Sequence, residues 1–275
     1  VLHIDEGGFI MKKIFALLLA IILVIALGAC GSETKKSASA LKVLKVGTDP
    51  DFPPFEYYLK DKNVFTGSDI ELVQLLSKKM GYGKVEFIPT PFDKLLTDLD
   101  AKKYDLAIGA LVSTPERKAG YALSDAYLKT FSVALGKKVG TKLTGEKDRE
   151  KIKGKRLVAE KGSFLVKLAE IYSKDTTECK DTEDGVKLVL AGKADYVITN
   201  QHVGKFLINN GYGKDIEIVA ELKGTGKETF SEVCMAMRKD DTKLATDVNK
   251  ALKEIMRSGE FKELLTSYFG KSAVV

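Results

Sequence analysis

The sequence predicts an α/β protein of two topologically related lobes joined by two crossing strands. Three observations lead to that class. From Leu41 onward, short β-branched runs alternate with amphipathic helical stretches, the pattern of an α/β fold. The series then restarts, and LDAKKYDLAIGA and VLAGKADYVITN hold the same place in the two halves. Each runs from a helix end through a lysine to Asp105 or Asp195, which opens an apolar strand, as expected of related units. Finally, two strand-like runs, LKTFSVALGKK and ETFSEVCMAMRK, pass between the halves. Two crossings make a hinge, and a cleft between hinged lobes is a natural ligand site.

The elements follow in order. LKVLKVGT reads as a strand, and DPDFPPFEYYLKDKNVFTGSD as an added loop and hairpin. In DIELVQLLSKKMG, residues Ile70, Val73, Leu76 and Met80 fall on one helical face, with Gly81 as the stop. KVEFIPT is a strand, FDKLLTDLDAKK a helix and YDLAIGA a strand. Thr114, Pro115 and Glu116 then read as a helix start, with a hydroxyl cap and proline at the first helical position. Arg117 follows at once, where the helix dipole disfavours a cation. Either a carboxylate of the chain (Asp49, Glu116 or Asp125) neutralises it, or it awaits an anion from outside. The second half repeats the alternation: strand KGKRLVAE, helix SFLVKLAEIYSK, strand TTECKDT, helix DGVKLVLAGK and strand ADYVITN.

The 275 residues are 44% hydrophobic and 30% charged, which suits a folded chain with a sizeable core. The net charge of +6 comes from lysines spread along the sequence. No arginine-rich block interleaved with aromatics marks a nucleic-acid surface. Residues 1–10 match no targeting pattern and read as an artefact upstream of Met11. Residues 11–29 read as a signal peptide, with Lys12 and Lys13 ahead of an apolar run from Ile14 to Leu27. That run falls short of the ~20 residues a permanent span needs. It ends in LGAC, which resembles the lipobox of bacterial lipoproteins and implies lipid attachment at Cys30. Residues 30–40 are small and polar, a flexible tether. A lipid-anchored, extracytoplasmic body follows, with lobe 1 expected over 41–130 and 232–275 and lobe 2 over 131–231. Cys179 and Cys234 leave a disulfide open. Only His3 and His202 are present, so neither a metal nor another cofactor is expected.

VGTDPDFPPFEY, TGSDIELVQLLSKKMGY, the stretch from FDKLLTDLDAKKYD to LVSTPERKAGYALSDAYL, and LAGKADYVIT together resemble the polar-amino-acid family of extracellular solute-binding proteins. The resemblance runs in order over nearly the whole chain from Leu41. It implies a type II periplasmic-binding-protein fold, a small ligand such as a polar or cationic amino acid, an ABC import permease as partner, and a monomer. By the same resemblance Arg117 grips the ligand's α-carboxylate, and Gly162 and Ser163 meet that carboxylate from the other lobe. Phe52 covers the ligand side chain and Asp49 meets its polar end, whereas Phe55 reads as core. Ala110 and Thr199 complete the expected lining.

The departures are specific. Asn200 stands where the family has an aspartate for the ligand's ammonium, Val112 replaces a hydroxyl residue, and Ser68 replaces an aromatic. Glu160 falls at a position facing the ligand side chain, where it either joins Asp49 in accepting a cation or is a solvated carboxylate at a strand end. The alternative readings are a ligand-binding partner of a sensor system and a dehydratase-like enzyme on the same fold. No nucleophile motif supports an enzyme, and none is expected.

Overall fold

The computed structural model describes residues 41–138, 146–222 and 231–270. The expected signal peptide, lipobox cysteine and tether lie outside these residues. The first sheet contains β1 (Val43–Thr48), β5 (Lys84–Pro89), β6 (Leu106–Val112), β7 (Tyr121–Leu123), β8 (Leu128–Thr130) and β14 (Ser231–Arg238). Its order is β5-β1-β6-β14-β7, with β8 also paired to β14. The second sheet contains β9 (Ser132–Lys137), β10 (Leu157–Glu160), β11 (Thr176–Cys179), β12 (Tyr196–Asn200) and β13 (Ile216–Leu222), in the order β11-β10-β12-β9-β13. Each sheet thus sets its second parallel strand, first parallel strand and third parallel strand side by side, then an antiparallel strand. The repeat seen in the sequence is structural. Asp105 exchanges backbone contacts with Lys45, and its carboxylate accepts from the Lys45 N–H at 3.2 Å. Asp195 does the same with Arg156, at 2.9 Å.

The hairpin is a three-stranded sheet of β2 (Asp51–Phe52), β3 (Glu56–Leu59) and β4 (Val64–Thr66). Helix α1 (Ser68–Lys79) buries Ile70, Val73 and Leu76 as its spacing requires, and Leu72 as well. Gly81, at φ 74°, takes the left-handed turn that ends it. FDKLLTDLDAKK is shorter as a helix than its pattern suggests. It opens as a 3₁₀ turn over Phe92–Lys94 and becomes α2 only over Leu95–Asp100. Below it, Tyr104 is buried against β1, where a Cβ on Gly47 would stand 2.1 Å from its ring. Only glycine fits there. Helix α3 (Pro115–Gly120) starts as predicted, with the Thr114 hydroxyl accepting from the Arg117 N–H at 3.2 Å.

On the second sheet lie α4 (Phe164–Tyr172), α5 (Thr182–Leu190) and α6 (Gln201–Leu207). The chain closes with α7 (Thr242–Ser258) and α8 (Glu260–Phe269), which pack on α1. LKTFSVALGKK is not one strand. It breaks at Phe131, giving β8 to the first sheet and β9 to the second. Cys179 and Cys234 sit in different sheets, both free and both buried, so the open question of a disulfide resolves against one.

Candidate ligand-binding site

Parallel strands leave their carboxyl ends uncovered, and α/β sheets place ligands there. Asp49 follows β1, Val112 ends β6, Glu160 ends β10 and Asn200 ends β12. Between these ends lies a cleft lined from the first lobe by Phe52, Phe92, Ala110, Val112 and Arg117. Glu160, Ser163, Phe164 and Asn200 line it from the second, and Thr130 and Ser132 from the crossing. Its enclosed free volume is about 20 Å³, about the room for one water. Two larger concavities, of about 450 and 500 Å³, are open surface grooves, one beside Ser113 and Lys118 and the other between α1 and α8. We take the cleft as the site because it gathers buried charged groups.

Arg117 is 8% exposed and has no carboxylate partner among the described residues. Glu116 instead pairs with Lys167 at 3.2 Å, and Asp125 with Lys253 at 3.4 Å. Asp49 spends its oxygens on the backbone N–H groups of Asp51 and Phe92, at 3.2 and 2.9 Å. One guanidinium nitrogen of Arg117 donates to the Val112 carbonyl at 2.9 Å, and the group lies 5.6 Å from the centre of the Phe92 ring. Burial lowers its pKa, yet a guanidinium does not deprotonate in a protein. The result is a buried cation with no carboxylate partner among the described residues, able to pair with an anion once the cleft opens.

Glu160 lines the cleft from the other lobe, 2% exposed, with its Oε1 lacking a hydrogen-bond partner among the described residues. Burial first, then the nearby Asp49, Asp181 and Asp51, push its pKa well above the usual carboxylate range. Asp49 is raised to about 6, mainly by burial. A cation brought into the cleft would therefore meet a carboxyl group that gains from ionising beside it.

Of the residues singled out in the sequence, the structure brings Phe52, Ala110, Val112, Arg117, Glu160, Ser163 and Asn200 into the lining. Asp49, Ser68 and Thr199 stand outside it. Asp49 is held behind Phe92, Ser68 is buried at the start of α1, and Thr199 is turned to Thr182, hydroxyl to hydroxyl at 2.9 Å. Ser163 precedes α4 but does not cap it; its hydroxyl donates to the Glu160 carbonyl at 2.6 Å. Asn200 does cap, accepting from the His202 N–H at 2.8 Å on the same oxygen that accepts from the Thr130 hydroxyl at 3.1 Å. That oxygen was expected to serve a ligand ammonium. Engaged twice already, it leaves the amide NH2 as the part of Asn200 without a partner among the described residues.

Sequence reasoning missed Phe92, Gly109, Thr130, Ser132, Phe164 and Leu165. The hydroxyl residues Thr130 and Ser132 flanking Phe131 in the crossing were the available signal. Phe92 carried none, because its place under Arg117 depends on the 3₁₀ turn.

Contacts between the lobes close the cleft. Lys161 meets Asp93 at 3.2 Å, Lys180 meets Asp51 at 2.9 Å, and Lys167 meets Glu116 across it. Gly162 approaches so closely that a Cβ would lie 2.7 Å from the Asp93 Cα.

Two lobes of matching topology, a hinge, and a buried cation and carboxyl facing each other across the cleft define a ligand-binding clamp. The chain belongs to the bacterial extracellular solute-binding proteins, family 3, whose model matches residues 44–271. It is 32% identical over 267 residues to the arginine-binding extracellular protein ArtP of Bacillus subtilis (strain 168), covering 94% of this chain and 98% of that one. The L-cystine-binding protein TcyA of the same organism is 27% identical, with 95% and 98% covered. An ancestral arginine-binding protein solved with arginine superposes with a TM-score of 0.74 at 28% identity, covering 83% of this chain and 98% of that one.

Proposed function

We propose that this protein captures one amino acid between its lobes, preferring a cationic side chain, and delivers it to an ABC import permease. The observation that carries the reading is Arg117, a buried guanidinium with no carboxylate partner among the described residues. A buried charge is retained at a cost unless something pairs with it, and a planar fork suits a carboxylate. Glu160 supplies the opposite pole for a cationic side chain, and the arginine-binding relatives support that choice. About 20 Å³ holds no amino acid, so entry requires the lobes to part at the hinge and close again on the ligand. Anchoring through a lipid on Cys30 and action as a monomer belong to the same proposal.

A thermal-shift panel of amino acids tests it. L-Arginine or L-lysine at about a hundred times its dissociation constant stabilises the closed state by about 2.7 kcal/mol. In a chain of this size that raises the melting temperature by about 5–10 °C. L-Citrulline, which keeps the shape without the charge, is expected to shift it far less. A panel in which no amino acid moves the melting temperature refutes the reading, and a cystine response with none from arginine refutes the cationic preference.

Asn200→Asp tests the ammonium pole. A carboxylate keeps the cap through one oxygen and frees the other, so an α-ammonium gains a charged partner worth about 1 kcal/mol, or about fivefold in affinity. Calorimetry showing weaker binding would mean that the ligand brings no free α-ammonium to this residue.

A further inference from the structure

We propose that Glu56 and Asp69 share one proton at neutral pH, Glu56 as the acid and Asp69 as the acceptor, and that this pair positions the floor of the cleft. Both side chains are 0% exposed, Glu56 on β3 and Asp69 on α1. Of their four oxygens, Asp69 Oδ2 accepts from the Ala110 N–H at 3.0 Å and from the Tyr127 hydroxyl at 2.7 Å. The other three, Glu56 Oε1 and Oε2 and Asp69 Oδ1, receive no hydrogen bond from the described residues. The backbone brings the two together: the Asp69 N–H donates to the Phe55 carbonyl at 2.9 Å, one residue before Glu56, and the two side chains reach the successive residues Gly109 and Ala110. Two carboxylates side by side and shut off from the surface repel when both are ionised, and like pairs of this kind retain a proton. The donor that satisfies the orphaned oxygens is then the carboxylic O–H itself.

The donors already present decide which partner carries the proton. Asp69 has two, so its anion is stabilised; Glu56 has none, so it is the acid. The groups facing Glu56 agree. Burial, Asp69 on α1, Asp49 after β1 and Glu160 at the end of β10 all push its pKa upward, and Tyr127 ahead of β8 is spent on Asp69. Asp69 is also raised by burial, but its two donors and Glu56 oppose the rise.

The pair lies directly under the site. Asp69 holds the N–H of Ala110, a residue at φ 44° that lines the cleft. A non-glycine residue in that region is strained and needs its surroundings to keep it there. A Cβ on Gly109 would stand 3.5 Å from Glu56 Oε1, which places the acid beneath the same step of the backbone. Two residues on, the Val112 carbonyl accepts from Arg117. The chain of contacts therefore runs from the shared proton through Ala110 to the carbonyl that aims the guanidinium.

For stability, the sign follows from linkage. An acid whose pKa is higher folded than unfolded holds a proton that the unfolded chain has released, so its contribution is full below the unfolded value and is lost as pH rises. Glu56→Gln keeps a donor to Asp69 and removes the titration. The melting temperature of Glu56→Gln relative to wild type is therefore expected to rise by about 3–5 °C per pH unit, from about pH 5 until Glu56 ionises. An infrared difference spectrum at neutral pH is expected to show a carboxylic-acid C=O band in wild type that Glu56→Gln lacks. A gap in melting temperature that stays constant with pH, or the absence of that band, overturns the shared proton. For the positioning role, amide exchange at Ala110 is expected to be about tenfold faster or more in Asp69→Ala than in Asp69→Asn, which still accepts the hydrogen bond. Equal exchange in the two overturns it. Should Asp69→Ala fail to fold, exchange at Ala110 in wild type decides instead, accelerating beyond its intrinsic pH dependence as Glu56 ionises or refuting the role if it does not. None of these readouts needs a ligand, so their failure is distinct from a failure of the amino-acid reading.

Discussion

Arg117→Ala is expected to abolish measurable ligand binding while leaving the fold intact. In the closed cleft the ligand carboxylate would be buried with its charged partner removed, a loss of about 2–5 kcal/mol, or about 30-fold to several thousand-fold in the dissociation constant. The unliganded protein behaves in the opposite way. There the guanidinium is a buried charge with no carboxylate partner among the described residues, and it donates to the Val112 carbonyl. Removing it relieves desolvation at the cost of that bond, so the melting temperature without ligand should hold steady or rise. Arg117→Lys should recover only part of the affinity, because an ammonium cannot offer two parallel N–H groups. Calorimetry and melting curves on the three proteins separate these effects. Binding by Arg117→Ala within threefold of wild type would remove Arg117 from the site.

Gly162→Val is expected to hold the cleft open. At φ 75° the residue occupies a region that disfavours side chains, and a Cβ would stand 2.7 Å from the Asp93 Cα and 2.9 Å from its Cβ. Backbone cannot swing aside as a flexible side chain does. The two penalties act on different states. The φ strain, about 1–2 kcal/mol, is present whether the lobes are open or closed and lowers stability. The clash exists only on closure and therefore lowers affinity. With the lobes held apart, the ligand keeps its contacts to one lobe and loses those to the other, for which about 2–4 kcal/mol is a reasonable scale for charged hydrogen bonds. Small-angle scattering should show wild type contracting with saturating L-arginine and Gly162→Val unchanged. A variant that contracts and binds normally would show that Asp93 yields, and the approach of Gly162 would then have no bearing on closure.

Several elements were legible because their causes are local. The Thr114 cap, Pro115 at the first helical turn and the stop at Gly81 each depend on residues a few positions apart, and each stands as read. Arg117 was conspicuous for the same reason, as a cation where the local field disfavours one. The paired placement of Asp105 and Asp195 was visible as a repeat, although the contact it marks is not local: each carboxylate accepts from the first parallel strand of its own half, 60 and 39 positions back. FDKLLTDLDAKK was read as helix throughout because apolar spacing does not distinguish a 3₁₀ opening turn from an α-helical one.

What the sequence alone determined is the alternation that makes two α/β lobes, the strand ends that carry the polar residues, and the family, whose motifs lie in order along the chain. Tertiary structure decided which of those residues face one another. Thr130 and Asn200 are 70 positions apart and Asp69 and Ala110 are 41 apart, yet each pair shares a hydrogen bond. Asp49 and Thr199 sit at strand ends as expected, but one is turned to backbone N–H groups and the other to Thr182. Local spacing sets the direction of a strand and the face of a helix. Which buried polar atoms find partners, and which are left for a ligand or a proton, depends on how the sheets are stacked and how far the hinge has closed.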